Sequence, residues 1–308
     1  MQRCLSQIRP RKPTKHRWLK TFLALLILAL LPPVWAGADD ITKQDAWLRI
    51  SIGNRSFKLA ARIFSPVGAG PYPLVVINHG IPVSSSDARK EKLGFSIAAS
   101  WFAAHGYIVV IALRPGFGDS DGPYLESSGP CSNRDYVHDG RVTALVESAI
   151  VQAATELPRV NQKQIVVVGQ SAGGFGAIAL GDTPPPGVVG IISFAGGRGG
   201  DDHEHICSGA EQLARAAQTF GAANQVPQLW LFADNDHFFP PNVAKMLFDA
   251  YHSVSRPPVR FVALPPFDGD GHKTLGHADP SVWADSVLSF LASIGDASLD
   301  APAGSPSQ

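Results

Sequence analysis

Past its first segment, the chain alternates short apolar runs with longer stretches of helical character. Leu74 to Ile77, Tyr107 to Leu113, Ile165 to Val168, Val188 to Phe194, Gln228 to Ala233 and Val259 to Leu264 are predicted strands. Helices are predicted near 92–105, 135–156, 172–181, 208–220, 241–253 and 280–294. The run Ile165-Val166-Val167-Val168 has no polar face, as expected of a strand covered on both sides in a parallel sheet. Upstream, Ala46 to Ile52 and Phe57 to Phe64 flank Gly53-Asn54, a strong hairpin pattern. A hairpin feeding six strand-helix units predicts an α/β fold, with a mostly parallel central sheet and helices on both faces.

The first segment reads differently. Residues 1–20 hold seven Lys/Arg and no acid, the apolar run Phe22 to Leu31 follows, Pro32-Pro33 ends it, and Ala36-Gly37-Ala38 offers a small-x-small cleavage site. This order predicts a signal peptide over 1–38, a catalytic domain over 39–295 and export to the periplasm or beyond. The apolar stretch is about half the roughly twenty residues of a spanning helix, so no stable membrane insertion is expected after cleavage. The tail 296–308 is small, polar and interrupted by Pro302 and Pro306, which predicts disorder.

Removal of the segment changes the charge. The whole chain has 26 basic and 26 acidic residues; losing seven basic ones leaves 19 against 26, a net charge of −7 with histidine neutral. Nucleic acid and anionic lipid are therefore poor partners. Cys4 leaves with the segment, and the remaining even pair in an oxidising compartment predicts a Cys131–Cys207 disulfide, with two separately buried thiols as the alternative.

Gly169-Gln170-Ser171-Ala172-Gly173 directly follows the buried strand, and small residues continue into the next helix. A G-x-S-x-G turn between strand and helix makes Ser171 a candidate nucleophile; a serine that merely caps the helix is the other reading. In an open α/β sheet, chemistry gathers at the C-terminal ends of the strands. The loop after Ala233 carries Asp234 and Asp236, either of which could orient an imidazole. The loop after Leu264 carries the glycine-flanked His272, the candidate general base, with His277 nearby, and the order Ser, Asp, His is that of this architecture. Asn78-His79-Gly80-Ile81-Pro82 ends the strand Leu74 to Ile77 and would supply one oxyanion donor from the Ile81 N–H, beside that of Ala172. Pro82 cannot donate.

Taken together, the chain resembles the α/β-hydrolase superfamily, and within it the dienelactone hydrolase-like and prolyl oligopeptidase-like branch. The likeness rests on His79-Gly80, on Phe102 to Tyr107 leading into Arg114-Pro115-Gly116-Phe117-Gly118-Asp119-Ser120, on Gly169 to Gly174, on the Asp236 loop and on Gly271-His272, in consistent order over about residues 45–295. The resemblance implies that the triad acid is the aspartate a few residues before a proline, Asp236. Dienelactone hydrolases carry cysteine at the elbow where this chain has Ser171, and the sequence holds no counterpart of the prolyl oligopeptidase propeller. Neither lactone specificity nor a size-gated peptidase role carries over.

The expected activity is that of an exported serine hydrolase cleaving small carboxylic esters through an acyl-enzyme, without cofactor or metal. A serine peptidase and a catalytically inactive hydrolase-fold binding protein are the alternatives. His79 is a candidate for substrate contact, while Arg198, in the loop after Phe194, suits either an anionic substrate group or an ion pair within the fold. Asp201-Asp202-His203-Glu204-His205 contains metal-ligand residue types, but adjacent side chains are expected to diverge and H-E-x-x-H spacing is missing, so a solvated loop is expected there.

Overall fold

A computed structural model describes residues 41–127 and 129–295. The predicted signal peptide and tail lie outside the described residues. Eight strands form one sheet in the order β1-β2-β4-β3-β5-β6-β7-β8. β1 (Ile41–Ile52) and β2 (Arg55–Pro66) pair antiparallel around the two-residue turn Gly53-Asn54, and β2 runs antiparallel to β4 (Ile108–Ala112). From β4 onward, through β3 (Tyr72–Asn78), β5 (Val160–Gln170), β6 (Val188–Phe194), β7 (Gln228–Ala233) and β8 (Val259–Leu264), every pairing is parallel. Only β2 opposes the rest, so the C-terminal ends of the six parallel-paired strands β3 to β8, and the loops that follow them, open on one edge of the sheet.

Both faces are covered, and alternation within each strand explains the unbroken apolar runs. Val166 and Val168 pack with Phe102 of α1 (Ser96–Ala104) and with Phe290 and Leu291 of α7 (Ala284–Ser293). Their neighbours Ile165 and Val167 pack with Val146 and Ile150 of α2 (Tyr136–Thr155) on the other face. α3 (Ala172–Leu180), α4 (Ala210–Ala223) and α5 (Pro241–His252) complete that side, while the one-turn α6 (Thr274–His277) follows β8.

The strands and main helices match the sequence expectation in order and type and differ from it at their boundaries. β5 begins at Val160 rather than Ile165, because Val160 pairs with Tyr72 before an irregularity restores register at Leu74 and Ile165. α1 starts at Ser96 rather than near 92, since Phe95 adopts a left-handed φ of 57° that a helix cannot continue through. Cys131 and Cys207 form a disulfide with Cα atoms 4.6 Å apart, joining the loop before α2 to the loop after β6. Among the described residues no helix is long and apolar enough to cross a membrane.

Candidate active site

β5 delivers Ser171 through a turn that other side chains could hardly follow. Ser171 sits at φ 55°, ψ −123°, between the last strand residue and the first residue of α3. A non-glycine residue in this region is strained and needs its surroundings to hold it. Ser171 N–H donates to Phe194 O at 3.0 Å, and Ser171 O accepts from Gly197 N–H at 3.2 Å, so the end of β6 grips the turn. The two glycines of the motif serve different close approaches. A Cβ on Gly169 would lie 2.3 Å from Gly173 O, where α3 folds back over the strand; one on Gly173 would lie 2.4 Å from His79 O, where the end of β3 passes. Ser171 makes no side-chain capping bond, which sets aside the reading of a helix-capping serine.

The acid and base loops meet beside this turn. His272 Nδ1 lies 3.1 Å from both Asp236 carboxylate oxygens, with Asp236 1% exposed and His272 8% exposed. Asp236 Oδ1 also accepts from the N–H groups of Phe238 and Phe239, each at 2.9 Å, which fixes the carboxylate. With Nδ1–H donated to the carboxylate, Nε2 is left as the base nitrogen. The Phe238 ring stacks on the imidazole at 4.2 Å between centroids, excluding water from that face. Asp234 is exposed in the turn after β7, and His277 is exposed on α6.

Three neighbours that hold His272 are absent from the sequence expectation. Asp270 Oδ1 accepts from His272 N–H at 3.0 Å, Gln170 Nε2 donates to His272 O at 2.9 Å, and Asn235 binds Phe267 and Asp268 through its side chain and Gly271 N–H through its carbonyl. Asp270, two residues before the histidine, has the spacing of a side-chain turn and was legible locally. Gln170 and Asn235 act across 102 and about 32 residues respectively, and no local pattern announces that.

Gly80, the residue before Ile81, lies against the elbow: its Cβ position would be 3.0 Å from Ser171 Cβ and 3.4 Å from Ser171 Oγ. The Ala172 N–H belongs to the first turn of α3, which has no intrahelical acceptor. Neither it nor the Ile81 N–H donates to another described residue. His79 and Arg198, by contrast, lie in the framework rather than against a substrate. His79 is 2% exposed; its Nδ1 lies 2.7 Å from Gly80 O and its Nε2 accepts from Arg114 N–H at 3.0 Å. Burial, reinforced by Arg114, lowers its pKa to about 3, so it stays neutral. Arg198, also 2% exposed, pairs with Glu126 at 3.0 Å and Asp139 at 3.4 Å.

Ligand atoms of Asp201, Asp202 and His203 lie within 4.8 Å of one another, closer than adjacent side chains were expected to come. The three are largely exposed, and Asp201 Oδ1 already accepts from the N–H groups of His203 and His205. A cavity of about 410 Å³ beside the elbow is lined by Phe95, Ile97, Gln170, Lys273 and His277 among others. A second, of about 550 Å³ between residues 129–137 and α4, holds none of the candidate catalytic residues.

The fold and the Ser-His-Asp arrangement define a serine hydrolase of the α/β-hydrolase superfamily. Residues 55–229, more than half of the chain, match the X-Pro dipeptidyl-peptidase (S15 family) sequence family, and the chain belongs to that family. Among solved structures, DcsB in complex with its substrate analogue aligns with TM-score 0.60 and 16% identity over 81% of this chain and 99% of its own. The Pyrococcus furiosus esterase Pf2001 aligns with TM-score 0.58 and 14% identity over 86% of this chain and 96% of its own. Porphyromonas gingivalis dipeptidyl peptidase 4 aligns with TM-score 0.59 and 17% identity over 82% of this chain, which spans only 35% of that protein. At such identities the likeness speaks for the fold alone. A search of curated proteins gives no match.

Proposed function

We propose that the protein is an exported hydrolase of small carboxylic esters, with Ser171 as nucleophile, His272 as general base and Asp236 as its orienting acid. The observation that carries this reading is the convergence of the strained Ser171 turn, the His272–Asp236 pair and two undonated N–H groups on one edge of the sheet. Ser171 Oγ attacks the acyl carbonyl while His272 Nε2 takes its proton. The carbonyl oxygen becomes an oxyanion held by the Ile81 and Ala172 N–H groups. The C–O bond to the leaving group then breaks, His272 returns the proton to the departing alcohol, and an acyl-Ser171 ester remains. Water, deprotonated by His272, attacks that ester and releases the acid and free Ser171. The cycle needs no cofactor.

The basic-then-apolar first segment and the disulfide support export, since disulfides persist in oxidising compartments. The ester reading draws support from a shared fold with an esterase over 96% of that protein's length, a likeness of fold rather than of substrate. Peptide-bond cleavage is the second reading, favoured by membership of the X-Pro dipeptidyl-peptidase family. Activated short-chain esters and X-Pro anilides, assayed on one preparation beside Ser171→Ala, separate the two. Ser171-dependent turnover of esters with kcat/KM at least about 100-fold above that of the anilides is expected, a difference of about 2.7 kcal/mol in transition-state stabilisation. The reverse preference would replace esters by peptides.

A further inference from the structure

A chain of buried charges begins directly behind the Ile81 N–H and ends two loops away. Arg114, fully buried after β4, donates through Nη1 to His79 O and through Nη2 to Gly80 O at 3.2 Å, while its Nε meets Glu126 Oε1 at 2.5 Å. The other Glu126 oxygen accepts from Arg198 Nη1 at 3.0 Å. Arg198 in turn reaches the Glu126 carbonyl, the Tyr124 hydroxyl at 3.0 Å and, on α2, Asp139 at 3.4 Å. All four charged side chains are at most 2% exposed.

We propose that Glu126 and Arg198 are positioning residues for catalysis: through Arg114 they fix the Gly80–Ile81 peptide so that its N–H can receive the oxyanion at Ser171. The proposal rests on the hydrolase reading above. Its geometry follows from one planar unit. Gly80 C=O and Ile81 N–H belong to the same peptide, and in a trans peptide the two point in opposite directions. Holding the carbonyl with Arg114 and His79 Nδ1–H therefore aims the N–H away from them. Gly80 itself lies against Ser171, so this is the peptide whose orientation the nucleophile feels. A guanidinium on the carbonyl also polarises the unit and strengthens its N–H as a donor.

The energetics point the same way. Burying ions carries a desolvation penalty that their attraction often fails to recover, and apolar residues of similar volume are commonly as stable. A network of two arginines and two carboxylates is thus a poor choice for stability alone, but it fixes direction well, because a guanidinium fork admits few geometries. Neither Glu126 nor Arg198 touches the Ser171 turn by a side-chain hydrogen bond to a described residue; the side-chain route to it runs through Arg114, while Gly197, the residue before Arg198, gives a backbone route by donating its N–H to Ser171 O at 3.2 Å, so Glu126→Gln is the more direct probe of the Arg114 link. The disulfide is placed to steady the far end: Cys207 lies on the same loop as Arg198, and Cys131 on the segment that leads from Glu126 to Asp139.

The test compares Glu126→Gln, Arg198→Met and Arg198→Lys with wild type and Ser171→Ala, on an activated ester, with active sites counted by burst titration. Per active site, kcat should fall by about 10–100-fold in the first two variants with KM within about threefold, a fraction of the 10²–10³ lost when an oxyanion donor is removed outright. Arg198→Lys, which keeps the charge and loses the fork, should recover part of the loss. Inhibition by a phenylboronic acid, whose tetrahedral adduct places an oxygen in the oxyanion position, should weaken in parallel with kcat/KM. The acid limb of the kcat/KM profile, set by the free enzyme's base, should keep its wild-type midpoint. A role in folding alone would lower melting temperature and the number of titratable sites while leaving kcat per site and boronate affinity unchanged, and that result overturns the proposal. If Glu126→Gln and Arg198→Met do not fold, an Arg198→Lys enzyme with wild-type kcat and boronate affinity overturns it equally. Wild type without Ser171-dependent turnover would instead remove the hydrolase reading itself.

Discussion

The loops carrying Asp236 and His272 are fixed by backbone turns and short polar side chains, whereas the loop carrying Ile81 is fixed by buried ions. Asp236 is held by two N–H groups within three residues of it, and His272 N–H by Asp270 two residues before it, with uncharged hydrogen bonds involving Gln170 and Asn235 as the long-range ties of that loop. The Gly80 carbonyl instead depends on Arg114, 34 residues away, which depends on Glu126, which pairs with Arg198 another 72 residues on. Short-range restraint survives local perturbation because few groups need to agree. A long charge chain fails as a unit when one member goes, since its neighbour is left as an unpaired buried charge. The two halves of the site should therefore break differently.

The largest effect belongs to the short-range half. Asp236→Asn should leave the fold intact and lower kcat by about 10⁴-fold, as expected when an imidazole loses the partner that sets its tautomer; circular dichroism and steady-state kinetics on one sample check both clauses. Next comes the tie beneath the charged half. Reducing Cys131–Cys207, which spans 76 residues, removes about 4.5 kcal/mol of stability by chain-entropy arguments. At about 2–4 °C per kcal/mol for a domain of this size, the melting temperature should drop on the order of 10 °C in reductant. The Cys131→Ser, Cys207→Ser double variant should be insensitive to reductant. Gly173→Ala comes third and touches both halves, because a Cβ would sit 2.4 Å from His79 O. Backbone must shift, and activity should fall by about 10²-fold, comparable to an ångström of misplacement at a catalytic centre, with a melting temperature only a few degrees lower.

Two buried carboxyls sharpen the contrast through pH. Burial alone would raise the Glu126 carboxyl, yet Arg114 and then Arg198, by charge and hydrogen bonding, bring it down to about 2. Its stabilisation is present above its ordinary value of 4.5 and is lost as pH falls from there towards about 2. Glu147, on α2, is buried with neither oxygen hydrogen-bonded to a described residue, and burial pushes it well above 4.5, against only partial opposition from Arg114. The folded state then holds a proton that the unfolded chain releases, so Glu147 lowers stability as pH rises above 4.5. Glu147→Gln should raise the melting temperature by a few degrees at pH 8 and by almost nothing at pH 4. Thermal melts across that range give the answer, and a pH-independent difference would contradict it.

The same division decides what was legible in the sequence. Strands read clearly because both faces of the parallel strands are buried, which leaves unbroken apolar runs such as Ile165 to Val168. Ser171, His272 and the two aspartates stood out because glycine-rich loops after strands are local patterns, and family resemblance then separated Asp236 from Asp234. The pairing of Cys131 with Cys207 followed from there being two cysteines left to pair. Glu126 left no trace, because nothing near it marks a carboxylate that will meet two arginines 12 and 72 residues off. His79, a candidate for substrate contact, turns towards Gly80 and Arg114 instead, a direction that depends on where β4 lies beside β3. Chemistry carried by a turn is written locally, while chemistry carried by packing is written only in the assembled sheet.

Fluorophosphonate labelling of the purified full-length protein, followed by peptide mapping and run beside His272→Ala, tests the central claim without knowledge of the natural substrate. The account predicts a single covalent label on Ser171 in wild type and its near loss in the variant. A folded wild type that leaves Ser171 unlabelled would contradict it and would point instead to a hydrolase fold retained for binding.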